Sequence, residues 1–116
     1  HGMSHPLGAV KELNLHHGTL NAVVMPAVLR FNEGHVGDKY ARLRQRLGLP
    51  AGYDLPKYFK DLNARLKLPP NLKAMGVKEA MIPALIEAAM KDHCTLTNPR
   101  PLDKAAYEKL FHDAMA

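Results

Sequence analysis

A chain of 116 residues is long enough for one domain with its own core, and 47% apolar content with only 6% aromatic residues points to an aliphatic, helix-rich interior. The single cysteine, Cys94, rules out an internal disulfide, and no uninterrupted apolar run reaches the roughly 18 residues a bilayer span needs, so a cytoplasmic protein without membrane contact is expected. The net charge of +5 is local: residues 38–73 carry nine basic and three acidic side chains against seven and eight elsewhere. With no interleaved aromatics and no DNA-binding motif, this excess reads as a solvated helical face, and nucleic-acid binding is not expected.

The first eighteen residues hold four of the seven histidines. The spacing predicts a helix from about His1 to Leu13, with Met3, Leu7 and Val10 on an apolar face and Pro6 tolerated near its start. His1 and His5 then lie one turn apart on a different face, and His17 follows after a break. Neutral imidazole suits zinc, iron, nickel and copper, so these three residues make a partial transition-metal site; the competing reading is a partly solvated helix start. Gly2, Gly8 and Ala9 add little bulk and allow a close approach to the backbone. His16 and His17 are placed on the connection that follows.

A second helix, from Gly18 or Thr19 to about Phe31, is apolar all round and therefore expected to be central, bent at Pro26 and closed by Gly34. His35 reads as a surface residue. Asp38 is positioned to cap a third helix to about Leu47, with Tyr40, Leu43 and Leu47 as a narrow buried stripe. Asp54 caps a fourth, with Leu55, Tyr58, Phe59, Leu62 and Leu66 inward, ended by Pro69 and Pro70. A fifth runs from about Lys78 to Asp92 with Met81, Ile82, Leu85, Ile86, Ala89 and Met90 inward and a bend at Pro83. His93 and Cys94 carry no base placed by sequence logic, and adjacent side chains point apart, so a catalytic thiol is not expected. Asp103 caps a last helix with Ala106, Tyr107, Leu110, Phe111 and Ala114 inward and His112 towards solvent. Six helices and no alternating pattern give an all-α bundle.

The stretch HGMSHPLGA at residues 1–9, followed by HGTLNAVVMPAVLRFN at residues 17–32, closely resembles the C-terminal part of the iron-containing (group III) alcohol dehydrogenases; Asn98-Pro99-Arg100-Pro101 recurs near that family's C-terminus. The resemblance implies the helical half of a dehydroquinate synthase-like two-domain enzyme, with residues 1–116 as the C-terminal part of the helical metal-binding domain and the dinucleotide-binding domain outside them. It implies that His1 and His17 bind the catalytic divalent metal, usually iron and sometimes zinc. An aspartate and a third histidine from an upstream helix would complete the set. It places His5 near the nicotinamide of NAD or NADP and the substrate, in a catalytic and cofactor-contacting role. The interval before His17 is two residues longer than the family's commoner pattern and carries tandem histidines, so either His16 or His17 can face the metal; His17 is preferred because it precedes Gly18. The implied activity is hydride transfer between a small alcohol or aldehyde and nicotinamide, in a homo-oligomeric whole protein, with this piece inactive alone. The alternatives are a maleylacetate reductase or polyol dehydrogenase of the same superfamily, or a stand-alone helical binding module.

Overall fold

The computed structural model describes residues 1–116 and contains helices and turns without strands. Six α-helices follow in order: α1 (Ser4–Gly8), α2 (His17–Asn32), α3 (Lys39–Arg46), α4 (Leu55–Arg65), α5 (Ile82–Met90) and α6 (Lys104–Met115). Short 3-10 turns occupy Lys11–Leu13, Lys73–Met75, Glu79–Met81 and His93–Thr97. The all-α architecture expected from the sequence is the one observed.

The most apolar segment lies at the centre. Helix α2 buries Leu20, Val23, Val24 and Phe31, and α1, α4 and α6 all pack against it, while α5 bridges α1 and α6. Met3 and Leu7 from the N-terminal segment, Leu72 and Val77 from the connection before α5, and Tyr107 and Phe111 from α6 join the same core. Helix α2 continues through Pro26. The proline has no N–H for the Ala22 carbonyl, and Asn63 of α4, itself buried, donates its amide to that oxygen at 2.7 Å. A polar residue on the apolar side of α4 is thereby explained: it fills the hydrogen-bonding gap a proline leaves in a buried helix.

Asp54 and Asp103 cap α4 and α6 as expected, accepting from the N–H of Lys57 and Ala106. Asp38 takes the position before α3 but makes no capping bond. Its backbone is at φ −89°, ψ 3°, outside the extended region from which an aspartate reaches the N–H two or three residues on; its carboxylate lies 3.8 Å from Arg42 instead. The predicted stripe of α3 is not buried either. Tyr40 and Leu43 are partly covered, Leu47 is exposed, and the helix is held by Tyr40 Oη to the Leu29 carbonyl (2.9 Å) and Arg44 Nε to the Tyr53 carbonyl (2.6 Å). In α4, Leu66 is 60% exposed although its spacing placed it inward.

Two boundaries differ from expectation. The first helix is short: Val10 turns extended after α1, and the 3-10 turn Lys11–Leu13 ends at Asn14 in the left-handed region at φ 45°. Gly8 and β-branched Val10 are weak helix residues, and Asn tolerates the left-handed exit. The fifth helix begins at Ile82, after the 3-10 turn Glu79–Met81. Pro83 therefore sits in the first turn, where its missing N–H has no helical partner to lose and no bend is required. His35 and His112 are exposed, the latter 3.2 Å from Glu79. No helix is long and apolar enough to cross a membrane.

Candidate metal centre

The site forms where the N-terminal turn, the start of α2 and the turn after α5 meet. The N–H of His5 donates to the His1 carbonyl at 2.9 Å, so the two side chains keep the one-turn relation despite the shortness of α1, and their rings lie 5.3 Å apart. His17 is the first residue of α2. Its ring is 5.3 Å from that of His1 and stacks on that of His5 at 5.8 Å. One nitrogen from each of the three rings lies within 4.8 Å of the others. His1 and His17 are exposed and His5 half-buried, so the group is open on one side. A separate groove of about 340 Å³, lined by Val23, Pro26, Asn63 and Leu68, contains none of these groups.

His16 stays out of this group. It precedes α2, and its Nδ1 accepts from both the N–H and the hydroxyl of Thr19 at 3.4 Å. The tandem histidines thus do different jobs: one caps the helix and the other joins the ring cluster. Asn21, one turn along α2, brings its side-chain amide nitrogen to 3.0 Å from His17 Nε2.

The backbone at Gly2 lies against a buried polar relay. Thr95 Oγ1 donates to the Ala89 carbonyl at 2.6 Å, and since a carbonyl only accepts, the Tyr107 hydroxyl must donate to Thr95 in their own 2.6 Å bond. A Cβ on Gly2 would collide with the Tyr107 hydroxyl and reach 3.2 Å from Thr95 Oγ1. Glycine is needed here for close approach.

His5 has a carboxylate partner that sequence reasoning missed. Its Nδ1 lies 2.7 Å from Asp92 Oδ2, and the other oxygen, Oδ1, accepts the Cys94 N–H at 2.8 Å. The Asp92 side chain is only 12% exposed. Burial pushes its carboxyl up, but the hydrogen bonds from the Cys94 N–H and from His5 outweigh this and hold it below the usual carboxylate range. Asp92 is 87 residues from His5, so no local spacing could link them; its one local mark is its place as cap of the 3-10 turn His93–Thr97.

That turn brings in two more side chains. The His93 ring stacks at 6.0 Å from His5 and is largely exposed. Contrary to the expectation for neighbours, Cys94 Sγ lies 3.5 Å from His93 Nε2. Cys94 also groups with His5 and Asp92. Burial and then the adjacent Asp92 push its thiol up, which works against a thiolate nucleophile or ligand. The following Asn98-Pro99-Arg100-Pro101 segment clamps the turn to the far end of α2. Asn98 and Asn32 exchange amide hydrogen bonds of 3.0 and 2.8 Å, Arg100 donates to the Phe31 carbonyl at 3.1 Å, and its guanidinium lies 4.2 Å over the Phe31 ring.

Residues 1–115 match the family model described as "Fe-containing alcohol dehydrogenase family, C-terminal". The chain is 47% identical over 122 aligned residues to the 4-hydroxybutyrate dehydrogenase of Cupriavidus necator, covering 99% of this chain and 32% of that protein. It is 37% identical to the lactaldehyde reductase of Escherichia coli (strain K12), covering 98% and 31%. Among solved structures it is similar to a 1,3-propanediol oxidoreductase with a TM-score of 0.90 at 28% identity, over 99% of this chain and 32% of that one. The chain spans about a third of the length of these relatives.

Proposed function

Since the chain belongs to the iron-containing alcohol dehydrogenase family, as its C-terminal part, we propose that residues 1–116 are the C-terminal part of the helical metal-binding domain of an NAD(P)-linked alcohol dehydrogenase. In this reading the whole protein works in the cytoplasm as a homo-oligomer and moves hydride between a small alcohol or aldehyde and nicotinamide. The observation that supports it best is the meeting of His1, His5 and His17, three imidazoles from two segments with a nitrogen of each within 4.8 Å.

That donor set fits a borderline divalent ion such as iron or zinc, for which neutral imidazole is a suitable ligand. His1 and His17 are assigned to the ion, which when bound supplies Lewis acidity towards an alcohol or carbonyl oxygen while nicotinamide carries the hydride. His5 is assigned to proton transfer and to contact with the cofactor. With Nδ1 committed to Asp92, its Nε2 is the atom that takes the alcohol proton in oxidation and returns it in reduction, as an imidazole near neutrality can do in both directions. Next to His1, the backbone at Gly2 approaches the Tyr107 hydroxyl too closely for a side chain to fit between them.

Replacing His1 by Ala in the whole protein is expected to remove metal and turnover together, whereas His5→Ala keeps the metal and loses turnover. A His1 variant with full metal and full turnover contradicts the ligand assignment. For the substrate, the greater of the two identities above makes 4-hydroxybutyrate the first compound to assay, with lactaldehyde and short diols beside it. A polyol dehydrogenase is the outcome if the diols alone turn over, and a maleylacetate reductase if none of these compounds does and maleylacetate is reduced.

A further inference from the structure

The reading above uses Asp92 only as the partner of His5 Nδ1 and gives it no role of its own, yet its side chain is just 12% exposed beside that ring. We infer that Asp92 is a positioning residue that fixes the tautomer and ring orientation of His5; the inference rests on the assignment of His5 to proton transfer.

Three observations carry it. Asp92 Oδ2 lies 2.7 Å from His5 Nδ1, a distance typical of a charge-assisted hydrogen bond. An ionised carboxylate only accepts, so Nδ1 must hold the hydrogen and the lone pair of the neutral ring falls on Nε2. The carboxylate cannot turn away, because Oδ1 is engaged by the Cys94 N–H at 2.8 Å and the side chain is 12% exposed. The turn that carries it is fixed in its own right. Thr95 within it is buried on the Tyr107 hydroxyl and the Ala89 carbonyl, and Asn98 just beyond it is paired with Asn32 of α2.

Carboxylates orient metal-ligating histidines through the same contact, and removal of that partner typically lowers metal affinity or activity about 10- to 100-fold; here the contact is made to a histidine assigned to proton transfer, and a loss of the same order is expected. A carboxylate that merely caps the turn His93–Thr97 would need only the Cys94 contact; the second oxygen is given to His5. Because the bond joins the turn after α5 to the N-terminal turn, it also sets which way the His5 ring faces relative to His1 and His17.

The test uses the whole protein with Asp92→Asn, His5→Ala and the double variant, scored for turnover, metal content and KM. Asp92→Asn is expected to lower kcat about 10- to 100-fold with metal and KM nearly unchanged, and the double variant to be no slower than His5→Ala alone. Additive losses, or full turnover in Asp92→Asn while His5→Ala is slow, overturn the role of Asp92 and leave that of His5 standing. Full turnover in His5→Ala overturns the underlying assignment. Independently of activity, imidazole ¹⁵N shifts in the metal-free whole protein should show His5 protonated on Nδ1 and lose that preference in Asp92→Ala; an unchanged tautomer rejects the inference.

Discussion

The histidine-bearing corner and helix α3 are both polar surface regions, and they are built in opposite ways. At the corner, His5 is tied to a mostly buried carboxylate, and the backbone at Gly2 lies on a buried relay of Tyr107, Thr95 and the Ala89 carbonyl. Helix α3 buries none of its eight residues and is held chiefly by two side-chain bonds to backbone carbonyls. What distinguishes the two regions is whether the polar atoms are backed by a satisfied interior that holds them in one geometry, as a working site requires.

If that contrast is right, the largest structural effect should come from the floor of the corner. Gly2→Ala forces a Cβ into the Tyr107 hydroxyl and is expected to destabilise by roughly 1–3 kcal/mol, as overpacking does. The penalty should shrink when combined with Tyr107→Phe, which removes the offending oxygen; denaturant unfolding of the single and double variants checks this. Equal penalties in both backgrounds would mean that Gly2 is not held by that hydroxyl.

Next in size is Asn63→Ala, which orphans the Ala22 carbonyl and is expected to cost about 1–3 kcal/mol. Pro26→Ala restores a backbone N–H for the same carbonyl, so the cost of Asn63→Ala should fall in that background. Thermal unfolding of the four combinations decides it.

Asp54 predicts a smaller effect with a definite pH sign. Hydrogen bonding from Arg30, then from the Lys57 N–H, holds its carboxyl below the usual range. A carboxyl lowered on folding stabilises fully above its ordinary unfolded pKa, and that contribution is lost as pH falls through the lower native value. Asp54→Asn should therefore cost about 1 kcal/mol or less near neutrality, since the pair is exposed and screened, and should flatten the acid side of the stability profile. A variant as acid-sensitive as the parent would count against it. On the α3–α4 side, Leu66→Ser should change stability by no more than about 0.5 kcal/mol, because the side chain is already in solvent.

Much of the fold was legible because it depends on local rules. Helical spacing located six helices, aspartate caps marked the starts of α4 and α6, and the all-apolar stretch identified α2 as central. The one-turn relation of His1 and His5 was equally local. What escaped was set by tertiary packing. The periodicity of α3 shows an apolar face but not whether anything covers it. Asn63 looks out of place until the carbonyl freed by Pro26 is seen opposite it. Asp92 meets His5 only because the clamp between Asn98, Arg100 and the end of α2 folds the last turn back across the molecule. The different fates of His16 and His17 also turn on one local bond, the capping of Thr19, that adjacent identical residues do not announce.

That difference offers the most direct test of the central claim, that the ring cluster and not the helix cap holds the metal. Metal content of the purified whole protein should be measured for His16→Ala and His17→Ala side by side. The prediction is near-parent metal in the His16 variant, with at most a weakened start to α2, and loss of metal in the His17 variant. A metal-replete His17 variant beside a metal-depleted His16 variant would contradict it.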